Sequence, residues 1–224
     1  MDNNLTQLVY ILDMSGSMSA LRDDTIGGYN ALLDKQKELG KENNELKARV
    51  TTVLFDDRYI LLHDGVDIND VQHITSREYA PFGMTALYDA IGRTIHHVGE
   101  QLAAMPEEER PALVSVTIIT DGQENASREY NQHAVRNMIK EQRDKYSWVF
   151  SFIGANIDVD KAGDELGIDR KMSKGYTASR VGTASVYDSI SAGAARVRQM
   201  VGRSAVFSAK AAEDAIAEEM ENIK

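Results

Sequence analysis

The chain has no cysteine in 224 residues. That removes disulfides, thiolate zinc sites and cysteine nucleophiles together, and leaves the redox compartment open. Nor does it have an apolar run near the ~20 residues of a membrane-spanning helix, so no membrane association is expected. Its amino terminus lacks a basic region followed by an apolar stretch and small residues, and the expected location without such an export signal is cytoplasmic. Basic residues are the minority, 25 Lys and Arg against 35 Asp and Glu, for a formal charge of -10. A nucleic-acid binder normally presents a basic face that displaces counterions from phosphates, so DNA and RNA are not expected partners. There is no P-loop, no Gly-x-Gly-x-x-Gly and no Gly-x-Ser-x-Gly, which leaves phosphate-cradling and serine-hydrolase chemistry without support.

What is present suits one large α/β domain, since 224 residues at 42% hydrophobic content can bury a substantial core. Leu8, Val9, Tyr10, Ile11 and Leu12 form an almost unbroken apolar run, the pattern of a strand buried on both faces. Leu21, Tyr29, Leu32, Leu33 and Leu39 then fall at helical spacing, with Gly40 placed to stop the helix. Gly27 and Gly28 inside it predict close packing against the sheet or the loop that precedes the helix. Residues 49–55 and 59–62 read as a hairpin around Asp56-Asp57-Arg58, and 65–78 as loop with at most a short strand. Leu87, Ile91, Ile95, Val98 and Leu102 mark a helix, and 113–120 a second central strand. Val135, Met138, Ile139 and Tyr146 mark another helix, 148–153 another strand closed by Gly154, and Asp158 to Gly167 bound a short helix. Val186, Ile190, Ala194, Val197 and Val201 predict a further helix, and Ala212, Ile216, Met220 and Ile223 a final acidic one. Alternating strands and helices predict a doubly wound, Rossmann-like, mostly parallel sheet with helices on both faces. The domain is expected to span 1–203, with 204–224 an acidic helix docked on it.

Ligand sites of open α/β sheets lie outside the carboxyl ends of the strands, near the point where strand order reverses. Asp13 and Asp121 each follow a hydrophobic strand directly, so both belong at that edge. Thr85, at the entry to a helix, reaches the same edge, although a threonine there also suits an N-cap. In Asp13-Met14-Ser15-Gly16-Ser17 three side-chain oxygens fall within five residues, and Gly16 lets the backbone curl. Such oxygens suit a hard cation such as Mg²⁺, while the same residue types also make ordinary turns. Asp13, Ser15, Ser17, Thr85 and Asp121 thus form a candidate ligand set drawn from three loops.

At this point the sequence resembles a known family. Asp13-x-Ser15-x-Ser17, Thr85 in Gly-Met-Thr-Ala-Leu-Tyr-Asp-Ala and Asp121 in Thr-Ile-Ile-Thr-Asp-Gly look like the metal-ion-dependent adhesion site of the von Willebrand factor type A domain. The resemblance implies one antiparallel edge strand, which the hairpin can supply. It implies Mg²⁺, with Mn²⁺ or Ca²⁺ as substitutes, held by Asp13, Ser15 and Ser17 from the first loop, Thr85 from the second, and Asp121 directly or through water. It also implies a protein partner whose Glu or Asp completes the metal, and an adaptor role like that of intracellular bacterial-type members in stress-resistance operons or beside AAA+ ATPases. Asp23 and Asp24 lie too far from Ser17 to suggest the adjacent calcium site of some members.

Binding is favoured over catalysis by Ser15, which stands where Mg²⁺ phosphohydrolases with a strand-end aspartate place a second acid. A phosphohydrolase using the same carboxylates is the alternative. Receiver-like phosphoacceptor domains need a lysine after a late strand, where this chain has Gly154-Ala155-Asn156. His96 and His97 are adjacent on a helix and cannot share one ion, and His63, His73 and His133 are scattered. Met14, Met18, Gly83 and Met84 flank the ligands, so the methionines either form an apolar collar for a partner or pack inward. Gln123, Glu124 and Asn125 complete the candidate rim, with Glu124 either touching the partner or occupying the metal's open position in the free protein.

Overall fold

The computed structural model describes residues 1–43, 45–203 and 208–224. At its centre lies β1 (Asp2–Asp13), in which every residue from Leu5 onward is buried. A strand with neighbours on both edges and helices on both faces has no solvent side, which is why Leu8 to Leu12 form a continuous apolar run. β2 (Lys47–Phe55) and β4 (Pro111–Thr120) flank it in parallel, with Asp13 opposite Phe55 and Leu12 opposite Ile119. β3 (Tyr59–Asp67) closes one edge antiparallel to β2, while β5 (Val149–Gly154) and β6 (Ser173–Gly175) extend the other in parallel. The order β3-β2-β1-β4-β5-β6 is a six-stranded, mostly parallel sheet with one antiparallel edge strand, and it reverses direction between β1 and β4.

Among the described residues six α-helices cover the sheet: α1 (Arg22–Glu42), α2 (Leu87–Ala104), α3 (Gln132–Tyr146), α4 (Val159–Leu166), α5 (Arg180–Arg203) and α6 (Ala209–Met220). Adjacent strand residues point to opposite faces, and β5 sorts the helices accordingly. Ile153 lies with Ile190 of α5 and Ile216 of α6. Phe152 lies with Leu87 of α2 and Leu166 of α4. α1 packs on α5, and α3 on α2 and α4, so three helices cover each face.

Several local expectations need correction. Gly40 does not end α1, which runs on to Glu42 and is capped at Asn43. A Cβ at Gly40 would lie 3.5 Å from Arg198 Nη2, a buried guanidinium that donates to the Gln36 and Leu46 carbonyls. Gly28 does permit a close approach, but to α5: a Cβ there would sit 2.8 Å from Tyr187 Cγ, whereas Gly27 faces open space. β3 runs five residues past Leu62, to Asp67. Tyr146 is exposed, and Ile223 is buried beyond the end of α6. β6, absent from the sequence reading, is three residues long and carries no hydrophobic pattern. α6 buries Ala212, Ile216 and Met220 against its neighbours, while the expected boundary after residue 203 falls on 204–207, outside the described residues.

Candidate metal centre

The reversal of strand order brings the carboxyl ends of β1 and β4 side by side, so Asp13 and Asp121 approach each other across 108 positions of sequence. The Asp13 carboxylate shapes its own loop: Oδ1 accepts the Ser15 N–H at 2.6 Å, the bond of an Asx turn, and Oδ2 accepts the Thr120 hydroxyl at 2.5 Å. Tyr79 donates to the Asp13 carbonyl at 2.6 Å. Beyond the turn, Ser15 Oγ and Ser17 Oγ stand 3.1 Å apart, and Ser17 Oγ donates to Asp121 Oδ1 at 2.5 Å. Four of the five expected ligands are thus joined by direct contacts.

Thr85 arrives on the second loop. Gly16 N–H bonds the Gly83 carbonyl at 3.1 Å and Phe82 N–H the Met14 carbonyl at 2.9 Å, stitching the two loops together. The β2–β3 turn supports them, since Ala86 N–H bonds the Asp56 carbonyl and the buried Asp56 carboxylate is held by Arg58. Asn125 clamps Thr85 from the third loop, its Oδ1 accepting Thr85 N–H at 2.9 Å and its own N–H bonding the Thr85 carbonyl at 3.0 Å. Thr85 is not the N-cap of α2; that position is Ala86, without a side-chain cap.

The convergence is clearest from Gly122. A Cβ built there would lie 3.1 Å from Thr85 Oγ1, 3.6 Å from Ser17 Oγ and 3.9 Å from Asp13 Oδ2. Oxygens from the first and second loops therefore face one point on the third, which only a missing side chain leaves free. An octahedral Mg²⁺ with ~2.1 Å bonds sets neighbouring ligand oxygens ~3 Å apart, the scale of the Ser15–Ser17 separation. Among the described residues no three His, Cys, Asp or Glu side chains gather at one point, so cation binding here depends on the hydroxyls. The charge fits as well. Burial, reinforced by the charge of Asp121, pushes the Asp13 carboxyl up to about 6 against the pull of its Thr120 and Ser15 hydrogen bonds, and burial also raises Asp121. Two buried carboxylates above their ordinary range are short of positive charge, which a divalent cation supplies.

The rim differs from the sequence reading. Met14 and Met18 are 1% and 2% exposed and belong to the core. Met84 at 51% and Phe82 at 72% are exposed beside Gly83, and Phe82 was not anticipated. Gln123 is exposed. Glu124 is neither free nor aimed at the ligands: its carboxylate accepts from Tyr88 N–H, Ala126 N–H, and the N–H and hydroxyl of Ser127. It caps the start of α2 from another loop, a role with no signature in local sequence. Asp89 completes the junction by accepting from Arg128, Glu129 and Tyr130 N–H. Thr120 was also missed, since a polar residue ending an apolar strand carries no distinguishing mark.

No family model matches the chain, and no curated protein matches it. Solved structures do. The vWF domain of the type V pili tip protein Mfa5 from Porphyromonas gingivalis is similar over 90% of this chain and 98% of that one, with a TM-score of 0.63 and 11% identity. The PilB minor pilin from Streptococcus sanguinis aligns with 88% of this chain at TM-score 0.60 and 10% identity; the chain spans 62% of that pilin. The manganese-loaded TRAP protein of Plasmodium vivax aligns with 82% of this chain and 72% of its own, at TM-score 0.56 and 18% identity. The fold is that of a von Willebrand factor type A domain.

Proposed function

We propose that this chain is a Mg²⁺-dependent protein-binding module whose cation is completed by a Glu or Asp of a partner protein. The observation that carries the reading is the convergence of Thr85, Ser17 and Asp13 oxygens beside Gly122. Asp13, Ser15, Ser17, Thr85 and Asp121 would hold the ion, and Mn²⁺, as in the TRAP structure, is a natural substitute. Mg²⁺ bound by two carboxylates and three neutral hydroxyls keeps affinity for an outside oxygen. Around it the protein's part is positional: Thr120 orients Asp13, Asn125 holds Thr85, and Glu124 fixes the helix that follows. The exposed Phe82 and Met84 give the partner apolar area next to the ion. Mfa5 and PilB are pilus proteins, which supports a binding role for the fold. For this chain we propose a cytoplasmic adaptor, acting within a stress-response or AAA+ ATPase-linked complex, without enzymatic activity. Ser15, bonded to Ser17, occupies the position a phosphohydrolase would give to its general acid.

The test uses wild type and Asp13→Asn, which keeps the acceptor for Ser15 N–H while removing the charge. Affinity capture from the native cell is run with Mg²⁺ and with EDTA. A partner is expected only with wild type in Mg²⁺, and equal retention in all four conditions would sink the metal-bridged mechanism. A phosphoester panel runs in parallel; turnover by wild type that disappears in Asp13→Asn would establish the phosphohydrolase instead.

A further inference from the structure

Next to the metal centre lies a groove of about 180 Å³, bounded by the start of α2, the loop after β4 and the outer face of α4. Gly122 borders both sites: it lines this groove, and its missing side chain is what lets the ligand oxygens converge. The groove is therefore continuous with the surface that a partner's carboxylate must approach.

Its chemistry differs from that of the metal centre. The floor is apolar, made by the buried Leu87, Phe152 and Leu166. The walls carry three carboxylates, Glu124, Asp158 and Glu165, against a single ammonium, Lys161. Asp158 caps α4 through Lys161 N–H, and Glu124 caps α2, so both are fixed in place. Glu165 and Lys161 are separated by 3.9 Å, with the lysine side chain largely in solvent and the glutamate half-buried, a loose pair that a better-placed cation can displace. Tyr88 lines the groove together with these groups, and its phenol is pushed up by burial first, then by the charges of Glu165 and Glu124. An apolar floor, an aromatic wall and an excess of negative charge at the mouth match one kind of side chain, an aliphatic stem with a cationic head.

We propose that this groove receives a Lys or Arg side chain of the same partner whose carboxylate completes the metal. This rests on the protein-binding reading above, and it makes the partner's recognition element a close acidic and basic pair. The acid reaches the ion, the base lies along Leu87 and Phe152 toward Glu165 and Glu124, and Gly122 is the ridge between them. The pairing also answers a problem of charge, because a purely acidic segment would approach a protein of net charge -10 with only the metal centre in its favour.

The test titrates N-acetyl-arginine amide into the full chain and follows the backbone amide resonances of Tyr88, Gly122 and Lys161. N-acetyl-norleucine amide, which keeps the aliphatic stem without the cationic head, and N-acetyl-glutamate amide serve as comparisons, each with and without Mg²⁺. The arginine amide is expected to shift groove resonances saturably with or without Mg²⁺, and the norleucine amide to bind more weakly. Glu165→Gln should weaken arginine binding about two- to fivefold and Lys161→Gln should strengthen it about as much, the effect of one solvent-facing charge pair. Lys161 is exposed and Glu165 half-buried, and both changes keep the length of the side chain, so the fold is expected to be kept. Equal shifts by arginine and norleucine amides, no shift by either, or no opposite response of the two variants would overturn the proposal. Failure of the metal reading looks different: the glutamate amide gains nothing from Mg²⁺ while arginine still fills the groove.

Discussion

Replacing Gly122 by alanine separates the metal site from the fold more cleanly than removing a ligand does. Gly122 does not have a positive φ, so alanine fits its backbone. Such a replacement alone stabilises a protein by about 0.4–1 kcal/mol through the unfolded chain. The added methyl lies 3.1 Å from Thr85 Oγ1, tight enough that the threonine oxygen must retreat by a few tenths of an ångström, and 3.6 Å from Ser17 Oγ. In the free protein that shift roughly cancels the entropic gain, and the melting temperature should stay within ~4 °C of wild type. For a bound ion the consequence is larger, because Mg²⁺ needs near-ideal octahedral geometry and the methyl crowds Thr85, one of its hydroxyl ligands. A 10- to 100-fold loss of affinity, about 1.4–2.7 kcal/mol, is the scale seen when ligand positioning is disturbed. Calorimetric titration of Mg²⁺ and Mn²⁺ into chelator-treated protein measures the affinity, and melting curves with and without Mg²⁺ measure stability in parallel. Wild type should melt higher with Mg²⁺ and Gly122→Ala should not. A variant that folds and binds Mg²⁺ as tightly as wild type would refute the placement of the ion among these three loops.

Three further outcomes follow from contacts described above. Asn125→Ala leaves Thr85 N–H without its acceptor, and should cost about 1 kcal/mol of stability and about tenfold in Mg²⁺ affinity, read by the same two assays. Burial raises the Asp89 carboxyl, but three backbone N–H donors more than offset it and hold the group below 3.8. Its stabilisation is therefore present above pH 3.8 and is lost as pH falls through the lower folded value. Asp89→Asn should lose about 2–3 kcal/mol at neutral pH and show a shallower acid-unfolding slope below that pH; an unchanged slope would count against the role given to Asp89. Gly28→Ala drives a methyl into the Tyr187 ring and should destabilise by about 1–3 kcal/mol, whereas Gly27→Ala, facing open space on the same helix, should stabilise by about 0.5–1 kcal/mol. Thermal melts of the two variants that move in the same direction would contradict the packing of α1 on α5.

The difference between those two glycines marks where sequence reasoning reached its limit. Hydrophobic period identified the central strand, because a strand covered on both faces admits no polar side chain from Leu8 to Leu12. Carboxylates at the ends of two such strands could be assigned to one edge of a parallel sheet without knowing the register, since all parallel strands end there. What a residue faces across the fold carries no local mark: Gly28 makes room for Tyr187, 159 positions away, and Gly40 faces Arg198. For Met14 the structure decides between the collar and the core. Its N–H continues the ladder to the Phe55 carbonyl, so it keeps strand alternation with Tyr10 and Leu12 and points into the core, although it sits between two ligand positions.

Glu124 carries the same lesson into the chemistry. Three residues after Asp121, it could have been a third acid for the ion, but four donors at the start of α2 claim its carboxylate. On the proposed reading this has a consequence for binding. Asp13 and Asp121 alone neutralise a divalent cation, so an incoming carboxylate meets a site of no net charge. With Glu124 as a ligand it would meet net negative charge in a buried setting, where repulsion is poorly screened. Holding Glu124 away therefore fixes the helix behind Thr85 and keeps the metal centre receptive to an acidic partner. Glu124→Gln, which loses charge-assisted bonds to α2, should then lower both stability and Mg²⁺-dependent partner capture, whereas a Glu124 that competed for the ion would give stronger capture on its removal.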